Sequence, residues 1–439
     1  MTSLGENAEP KSEQRSWVDS RLLLVMLFLA TLLATATQFH NEPFGTGIES
    51  LALARNLAHH GEFANPFGFP SGPSAHSPPL FPAFLGLLDW LFGDSAMFVA
   101  VASICAASVH AMQTVLLPGA SKLLFADRRP GIFAALLVVS PVMCGYQPAW
   151  EGIYCASGLI LFCLYSDRQV RHGGTLGLVL TGIAVGLLML LNPVSIVLIV
   201  PWLLFLLRKA VRRARARVCL LAAAGALITL LPWTVRNYCV FHSLFFVRDN
   251  LGLELYDSNN DMARPTVYGN MPYGLSYLHP GGAEAAPERA AIRDLGEFRY
   301  NQSRLHIALD WIRSHRGRFI ALTLARIRFY WFPGPDSGVW HARAVSSITV
   351  ASLFGLALLA ARRRSLAVFA TVVFAVYPLV YYLDNMDSRY RTPILWLSLL
   401  LAGYLVVACW DAAAAWWRRA RSAGLPRPLT IPPDTRCTS

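Results

Sequence analysis

Seven residues in this chain have side chains suited to group-transfer chemistry at a phosphate: Glu49, Glu151, Asn192, Arg236, Asn237, Arg248 and Glu254. Glu49 lies on a short segment, Thr46 to His60, whose apolar residues recur at Ile48, Leu51, Ala54, Leu57 and Ala58. That is helical spacing, and it leaves Glu49, Asn56 and His60 on the opposite face of a helix lying on a membrane surface. Glu151 directly follows Trp150, Asn192 sits in Leu190-Leu191-Asn192-Pro193, and Arg236-Asn237 close Leu231-Pro232-Trp233-Thr234-Val235. Arg248, Asp249, Asn250 and Glu254 come soon after. Arginines gathered on one face would hold a phosphate by charge-assisted bonds and stabilise it as a leaving group. A carboxylate beside them, for which Glu49 is the candidate, would accept the proton of an attacking hydroxyl.

Each residue also has a purely structural reading. Glu49 can be a solvated acid on an interfacial helix, and Glu151 can stabilise the start of the next helix. Asn192 before Pro193 can mark a helix boundary, Arg236 can anchor in headgroups, and Arg248 with Asp249 can form a local turn pair. His40, His59, His60 and His76 cluster in one loop. They match no ligand spacing such as H-E-x-x-H, so no metal site is assigned and a divalent cation stays an open cofactor question.

The elements that must position these residues are membrane segments. Hydrophobic residues make up 55% of the 439 residues and charged ones 15%, well below the roughly 25% charged residues of soluble domains; the mean hydropathy is +0.43. Ten stretches are long enough to span, at 22–39, 96–121, 130–147, 150–166, 174–191, 193–208, 217–235, 344–361, 365–383 and 392–411. Leu80 to Phe92 is too short and carries Asp89 and Trp90, so it reads as re-entrant or interfacial. The formal charge of +12 resides in clusters around Lys11/Arg15/Arg21, Lys122/Arg128/Arg129, Arg168/Arg171, Arg208 to Arg217, Arg362 to Arg364 and Arg418/Arg419/Arg421. With ten spans every cluster falls on one side, as the positive-inside rule requires, and nucleic-acid binding is not indicated. Both termini are then cytoplasmic.

The domain reading follows: a tail 1–21, a seven-helix module 22–235 containing the first outer loop 40–95, an outer loop region 236–343, a C-terminal helical segment 344–411, and a tail 412–439. Within the outer region the pattern predicts turns over Asp257 to Asp261 and His279 to Gly282, and a helical run from Pro287 to Ser314. A further interfacial helix, Arg318 to Phe332, is expected to carry its basic groups at headgroup level. The prolines from Ala64 to Pro82 predict an ordered, non-helical loop. Leu22 to Phe39 has signal-peptide features and is read as an uncleaved anchor. The cysteines show no C-x-x-C pair and read as small buried hydrophobes.

The order of several strings resembles the GT-C superfamily of polytopic glycosyltransferases, which includes protein O-mannosyltransferases and aminoarabinose lipid A transferases. They are Phe44-Gly45 with Glu49, Leu51 to Ala58, Gly61-Glu62-Phe63, Asn65-Pro66-Phe67, Gly72 to His76, Pro79-Leu80-Phe81-Pro82, Trp150-Glu151, Leu191-Asn192-Pro193, Pro232 to Tyr238 and Arg248 to Leu255. The likeness is to bacterial members called dolichyl-phosphate-mannose-protein mannosyltransferase-like, and it covers most of residues 20–335. It implies a polyprenyl-phosphate sugar donor used on the outer face, with Glu49 where the family places its first-loop acid. Well-known branches carry an adjacent acidic pair there, whereas Ile48 precedes Glu49 here.

The resulting expectation is an all-α integral membrane glycosyltransferase of the bacterial inner membrane. It moves a sugar from a polyprenyl-phosphate donor to a hydroxyl on a glycan, lipid or protein acceptor. Glu49 is the base, Arg236 and Arg248 clamp the phosphate, and Glu151, Asn192 and Asn237 line the cavity. The rival expectations are a lipid-linked glycan polymerase or ligase, a transporter or flippase of lipid-linked sugars, and a catalytically silent subunit.

Overall fold

The computed structural model describes residues 21–39, 49–140, 150–209, 212–334 and 337–424. Among them every regular element is helical, with two isolated bridges, Ala64 to Pro73 and Thr266 to Met386. The first part of the chain forms α1 (Arg21–Phe39), α2 (Glu49–His60), α3 (Leu80–Phe92), α4 (Ala96–Phe125), α5 (Arg129–Val139), α6 (Gly152–His172), α7 (Thr175–Leu191), α8 (Ile196–Lys209) and α9 (Arg212–Phe241). A polar region follows with α10 (Leu251–Ser258), α11 (Val267–Asn270), α12 (Ser276–Leu278), α13 (Ala286–Leu295), α14 (Glu297–Ser314) and α15 (Arg316–Trp331). The chain returns to apolar helices in α16 (Val339–Arg362), α17 (Arg364–Val376) and α18 (Thr392–Gly424).

Four helical stretches, Ala96–Phe125, Ala214–Phe241, Val339–Arg362 and Ser388–Arg421, are long and apolar enough to cross a bilayer, and shorter apolar helices pack beside them. A helix can do this without stranding backbone donors in hydrocarbon, because it satisfies them within one segment. The chain is a multi-pass membrane protein. Each expected span overlaps one helix of the bundle; His40 and residues 141–147 of the third lie outside the described residues.

Burial follows membrane logic. Trp202, Trp396, Phe98 and Phe369 pack in one core, while Leu22, Leu29, Leu176, Leu220 and Ile228 face outward. Helices approach closely where side chains are small, since lipid supplies no hydrophobic drive between them. A Cβ on Gly182 would collide with the Ala222 carbonyl, and one on Gly225 with the Val179 carbonyl. These two glycines set the contact between α7 and α9.

The bundle has chemically distinct ends. At one, Arg129 makes a two-pronged pair with Asp411 at 2.7 and 2.8 Å, joining α5 to α18. Arg363 donates to the Leu124 carbonyl and Arg217 to Thr175 Oγ1, tying α16 to α4 and α9 to α7. Arg129, Arg217 and Arg363 each belong to one of the basic clusters read from the sequence; Lys11 and Arg15 lie outside the described residues. At the other end sit α2, α3 and the polar region from α10 to α15.

Three details depart from the sequence pattern. The run Pro287 to Ser314 is two helices, because Gly296 adopts φ 75° between α13 and α14. Pro82 lies inside α3, in the first turn, where its missing N–H is not needed. Arg326 on α15 turns into the protein instead of presenting its charge at the surface. It is fully buried and donates to Asn259 Oδ1, the Leu383 carbonyl and the Ser258 carbonyl.

Candidate functional site

The stretch from Phe63 to His76 is irregular because of its glycines and prolines, yet it is tied down throughout. Asn65, at φ 60°, accepts from the Ser71 and Gly72 amides and donates to Asn56 Oδ1 at 2.9 Å. Arg236, near the C-terminal end of α9, donates to the Ser74 carbonyl at 2.7 Å and the Phe63 carbonyl at 2.9 Å. Its guanidinium also lies over the rings of Trp233, Phe241 and Phe63, at 4.8, 5.5 and 5.7 Å. From the other side, Glu297 at the start of α14 accepts from the Ala75 amide at 2.6 Å, and the Ala75 carbonyl accepts from the Asp249 amide. Burial pushes the Glu297 carboxyl up to about 7, against the opposing effects of Ser74, Ala75 and Arg236. Three separate segments therefore fix the backbone that presents His76.

At His76 the first outer loop meets the polar region. Glu49 opens α2, His279 follows α12, and Glu49 Oε1 lies 3.6 Å from His279 Nε2. The Phe67 ring stands edge-on to both imidazoles, 5.1 Å from His76 and 5.4 Å from His279. One ligating atom from each of Glu49, His76 and His279 lies within 4.8 Å of the others. Burial, with help from Arg248 and His279, holds the His76 imidazole well below its usual pKa, hence neutral. Its buried Nδ1 has no hydrogen-bond partner among the described residues. Two imidazoles and a carboxylate, with a buried ring nitrogen left over, form a donor set that fits a divalent cation.

Arg248 links this cluster to a second one. Its Nε donates to Asn250 Oδ1 at 2.7 Å and Nη2 lies 3.4 Å from Glu254 Oε1, so its partners are Asn250 and Glu254 rather than the adjacent Asp249. Glu254 and Asp257, three residues apart on α10, present oxygens within 4.8 Å of one another and of Asp384. Ser258 Oγ is 2.8 Å from Asp384 and 3.1 Å from Asp257, and Asn385 Nδ2 donates to Asp257 at 3.3 Å. Burial, reinforced by Glu254, raises Asp257 well above the usual carboxylate range and lifts Asp384 to about 7. Such a group retains a proton near neutrality.

The remaining expected site residues fall around this centre. Glu151 is the N-cap of α6 without a capping side-chain bond; beside it the Arg389 guanidinium stacks 3.2 Å over Trp150. Asn192 accepts from the Val194 amide at 3.1 Å and so ends α7. Asn237 is fully buried, accepting from Arg236 and donating to the Val247 carbonyl. The structure thus gathers Glu49 and Arg248 around His76, holds Glu254 in the second cluster beyond Arg248, and ties Arg236 and Asn237 into the loop and the end of α9.

Sequence reasoning missed His279, Asp257, Asp384 and Arg389. For His279 no linear signal exists, since its two partners come from different segments. Asp384 and Arg389 had one: Asp384-Asn385-Met386-Asp387-Ser388-Arg389-Tyr390-Arg391 is a charged loop between apolar segments, read to the same side as Glu49.

The family model described as dolichyl-phosphate-mannose-protein mannosyltransferase matches residues 76–235. Among solved structures the chain is similar to the archaeal oligosaccharyltransferase AglB from Archaeoglobus fulgidus, in complex with an inhibitory peptide and a dolichol-phosphate. The TM-score is 0.53 at 15% identity, covering 94% of this chain and 53% of that one. At that identity the likeness is one of fold. A second structure of the Archaeoglobus fulgidus oligosaccharyltransferase, in complex with Zn and sulfate, is similar in fold at TM-score 0.53 and 16% identity, over 92% of this chain and 51% of that one. ArnT from Cupriavidus metallidurans, bound to undecaprenyl phosphate, gives a TM-score of 0.39 at 16% identity, over 93% and 82%. The chain spans about half the length of the oligosaccharyltransferases it matches. No curated protein matches it in sequence.

Proposed function

We propose that the protein is a ten-span glycosyltransferase that moves a sugar from a polyprenyl-phosphate carrier to an acceptor hydroxyl on the outer face of the bacterial inner membrane. The basic end of the bundle, with both termini, is then cytoplasmic. One observation carries the reading: Glu49, from the first loop, and Arg248, from beyond α9, flank the same buried His76 at the end of the bundle opposite the basic clusters. The similarity to an archaeal enzyme whose structure holds a dolichol-phosphate supports a lipid-phosphate donor.

The chemistry follows from the placement. The acceptor hydroxyl gives its proton to the Glu49 carboxylate as its oxygen attacks the anomeric carbon. The bond from that carbon to the phosphate oxygen breaks, its electron pair leaves with the phosphate, and Arg248 stabilises the charge that develops. A direct displacement inverts the sugar. A divalent cation held by Glu49, His76 and His279 would supply further neutralisation of the phosphate. Arg236 and Glu297 keep His76 and its loop in place throughout.

Transfer of labelled sugar from a polyprenyl monophosphate tests this directly. Glu49→Gln is expected to reduce turnover at least about 100-fold while the protein still folds; retained turnover removes Glu49 as the base. Activity lost on chelation and restored by a divalent ion would assign the Glu49 carboxylate to the ion. The resemblance to oligosaccharyltransferases favours one alternative, transfer of an oligosaccharide from a diphosphate carrier, which the same assay separates by donor.

A further inference from the structure

Inside the bundle, below the outer turn 388–391, lies a cavity of about 50 Å³ lined by residues of α4, α6, α15, α16 and α18. That is several times the roughly 10–15 Å³ one ordered water needs. Three of its lining side chains, Tyr330, Arg391 and Trp396, are at most 2% exposed. Each has a polar group with no hydrogen-bond partner among the described residues: Tyr330 Oη, Arg391 Nε and Trp396 Nε1.

Arg391 makes the case. Its Nη1 donates to Thr349 Oγ1 at 2.6 Å and its Nη2 to Ser398 Oγ at 3.0 Å, and the guanidinium lies 4.8 Å over Trp331. Its described partners are all neutral, and no aspartate or glutamate lines the cavity. The contrast with its neighbours is clear: Arg326 is equally buried but has Asp384 and Asp257 in its field, and Arg389 has Asp387 at 3.4 Å. A buried charge without a counter-charge is costly, and in a membrane protein it marks a site of function. Arg389 and Arg391 also point apart, the first onto Trp150 and the second onto Trp331 and α16.

We propose that this cavity is a second anion site, built to receive a phosphate group through Tyr330, Arg391 and Trp396. The three donors come from α15, the 388–391 turn and α18, and a phosphate offers a separate oxygen to each, where a carboxylate has only two. Guanidinium Nε–H and indole N–H are donors without acceptor capacity, which disfavours a neutral polyol. The phosphate belongs either to a lipid whose headgroup enters between the helices or to free inorganic phosphate. The proposal does not depend on Arg248 binding the donor.

The test uses the full chain in detergent, in the wild type and in an Arg248→Gln background that removes the other phosphate contact. Native mass spectrometry measures binding of a polyprenyl monophosphate against the corresponding polyprenol, with inorganic phosphate as competitor. The expected result is a preference for the phosphorylated lipid of at least tenfold that survives Arg248→Gln. That preference is lost in the double variant Tyr330→Phe/Trp396→Phe, which keeps an aromatic ring at each position and every described bond of Arg391, and equally in Tyr330→Phe alone, which changes no ring and keeps the melting temperature. Displacement by inorganic phosphate identifies the free ion as the natural occupant, and resistance to it identifies the lipid. Equal binding of polyprenol and phosphate in the Arg248→Gln background, or undiminished binding in the double variant, overturns the site.

Discussion

Two arginines that look equivalent in sequence do different work. Arg236 is occupied: two backbone carbonyls, an amide oxygen and three aromatic rings take its donors and its faces. Arg248 is held by neutral Asn250 and by Glu254 at a looser 3.4 Å, beside the neutral His76. Replacing each should therefore give opposite signatures. Arg236→Met leaves two carbonyls without their charge-assisted donor, a loss of about 2–3 kcal/mol. It should lower the melting temperature by several degrees and reduce activity only through loosening of the loop. Arg248→Gln should leave the melting temperature within a few degrees of wild type and cut transfer by about 100-fold or more, as loss of a donor to a developing oxyanion does. Differential scanning fluorimetry and the transfer assay on both variants check the pair; a stable, inactive Arg236→Met would exchange their roles.

At the scale of elements, the decisive tie is between α14 and the first outer loop, made by Glu297 on the Ala75 amide. Its carboxyl titrates at about 7 instead of its ordinary 4.5, chiefly through burial. A raised carboxyl pKa means that the folded state binds the proton more tightly than the unfolded state. Its favourable contribution is complete below about 4.5 and is lost as pH rises through about 7. Glu297→Gln keeps an acceptor for the amide and has no charge to bury. Its stability advantage over wild type should grow from pH 5 to pH 8, by up to about 3 kcal/mol. A melting-temperature difference that is flat over that range would show the carboxylate to be solvated. This tie also explains what was legible in the sequence. Apolar runs give the helices of the bundle, because a continuous apolar run of that length satisfies its own backbone in lipid only as a helix. The amphipathic segment of Glu49 reads as α2 for the same kind of local reason. Nothing local announces that Glu297 will reach back to Ala75, or that His279 will meet Glu49. The break at Gly296 likewise lies where the apolar period continues unbroken, and only the positive φ of a glycine reveals it.

For the whole molecule, the site exists only if its pieces share one side of the bilayer. The bundle already separates its ends: Arg129 with Asp411, Arg363 with the Leu124 carbonyl and Arg217 with Thr175 gather basic residues at one, and Glu49, His76, His279 and Arg248 meet at the other. A bilayer with an anionic cytoplasmic leaflet favours the basic end inside. Single cysteines placed in a cysteine-free chain read that orientation in intact cells. Glu62→Cys beside α2 and Asp294→Cys on α13 are both exposed at the site end, and Arg171→Cys and Arg364→Cys are exposed at the basic end. The first two should react with a membrane-impermeant maleimide from outside, and the second two only after permeabilisation. Labelling of Glu62→Cys and Asp294→Cys from opposite sides would make the contacts of Ala75 with Glu297 and Asp249 impossible. With them would go the cluster around His76, since the ties that dock its loop onto the rest of the chain come from Arg236 on α9, from Asp249 and from Glu297 on α14.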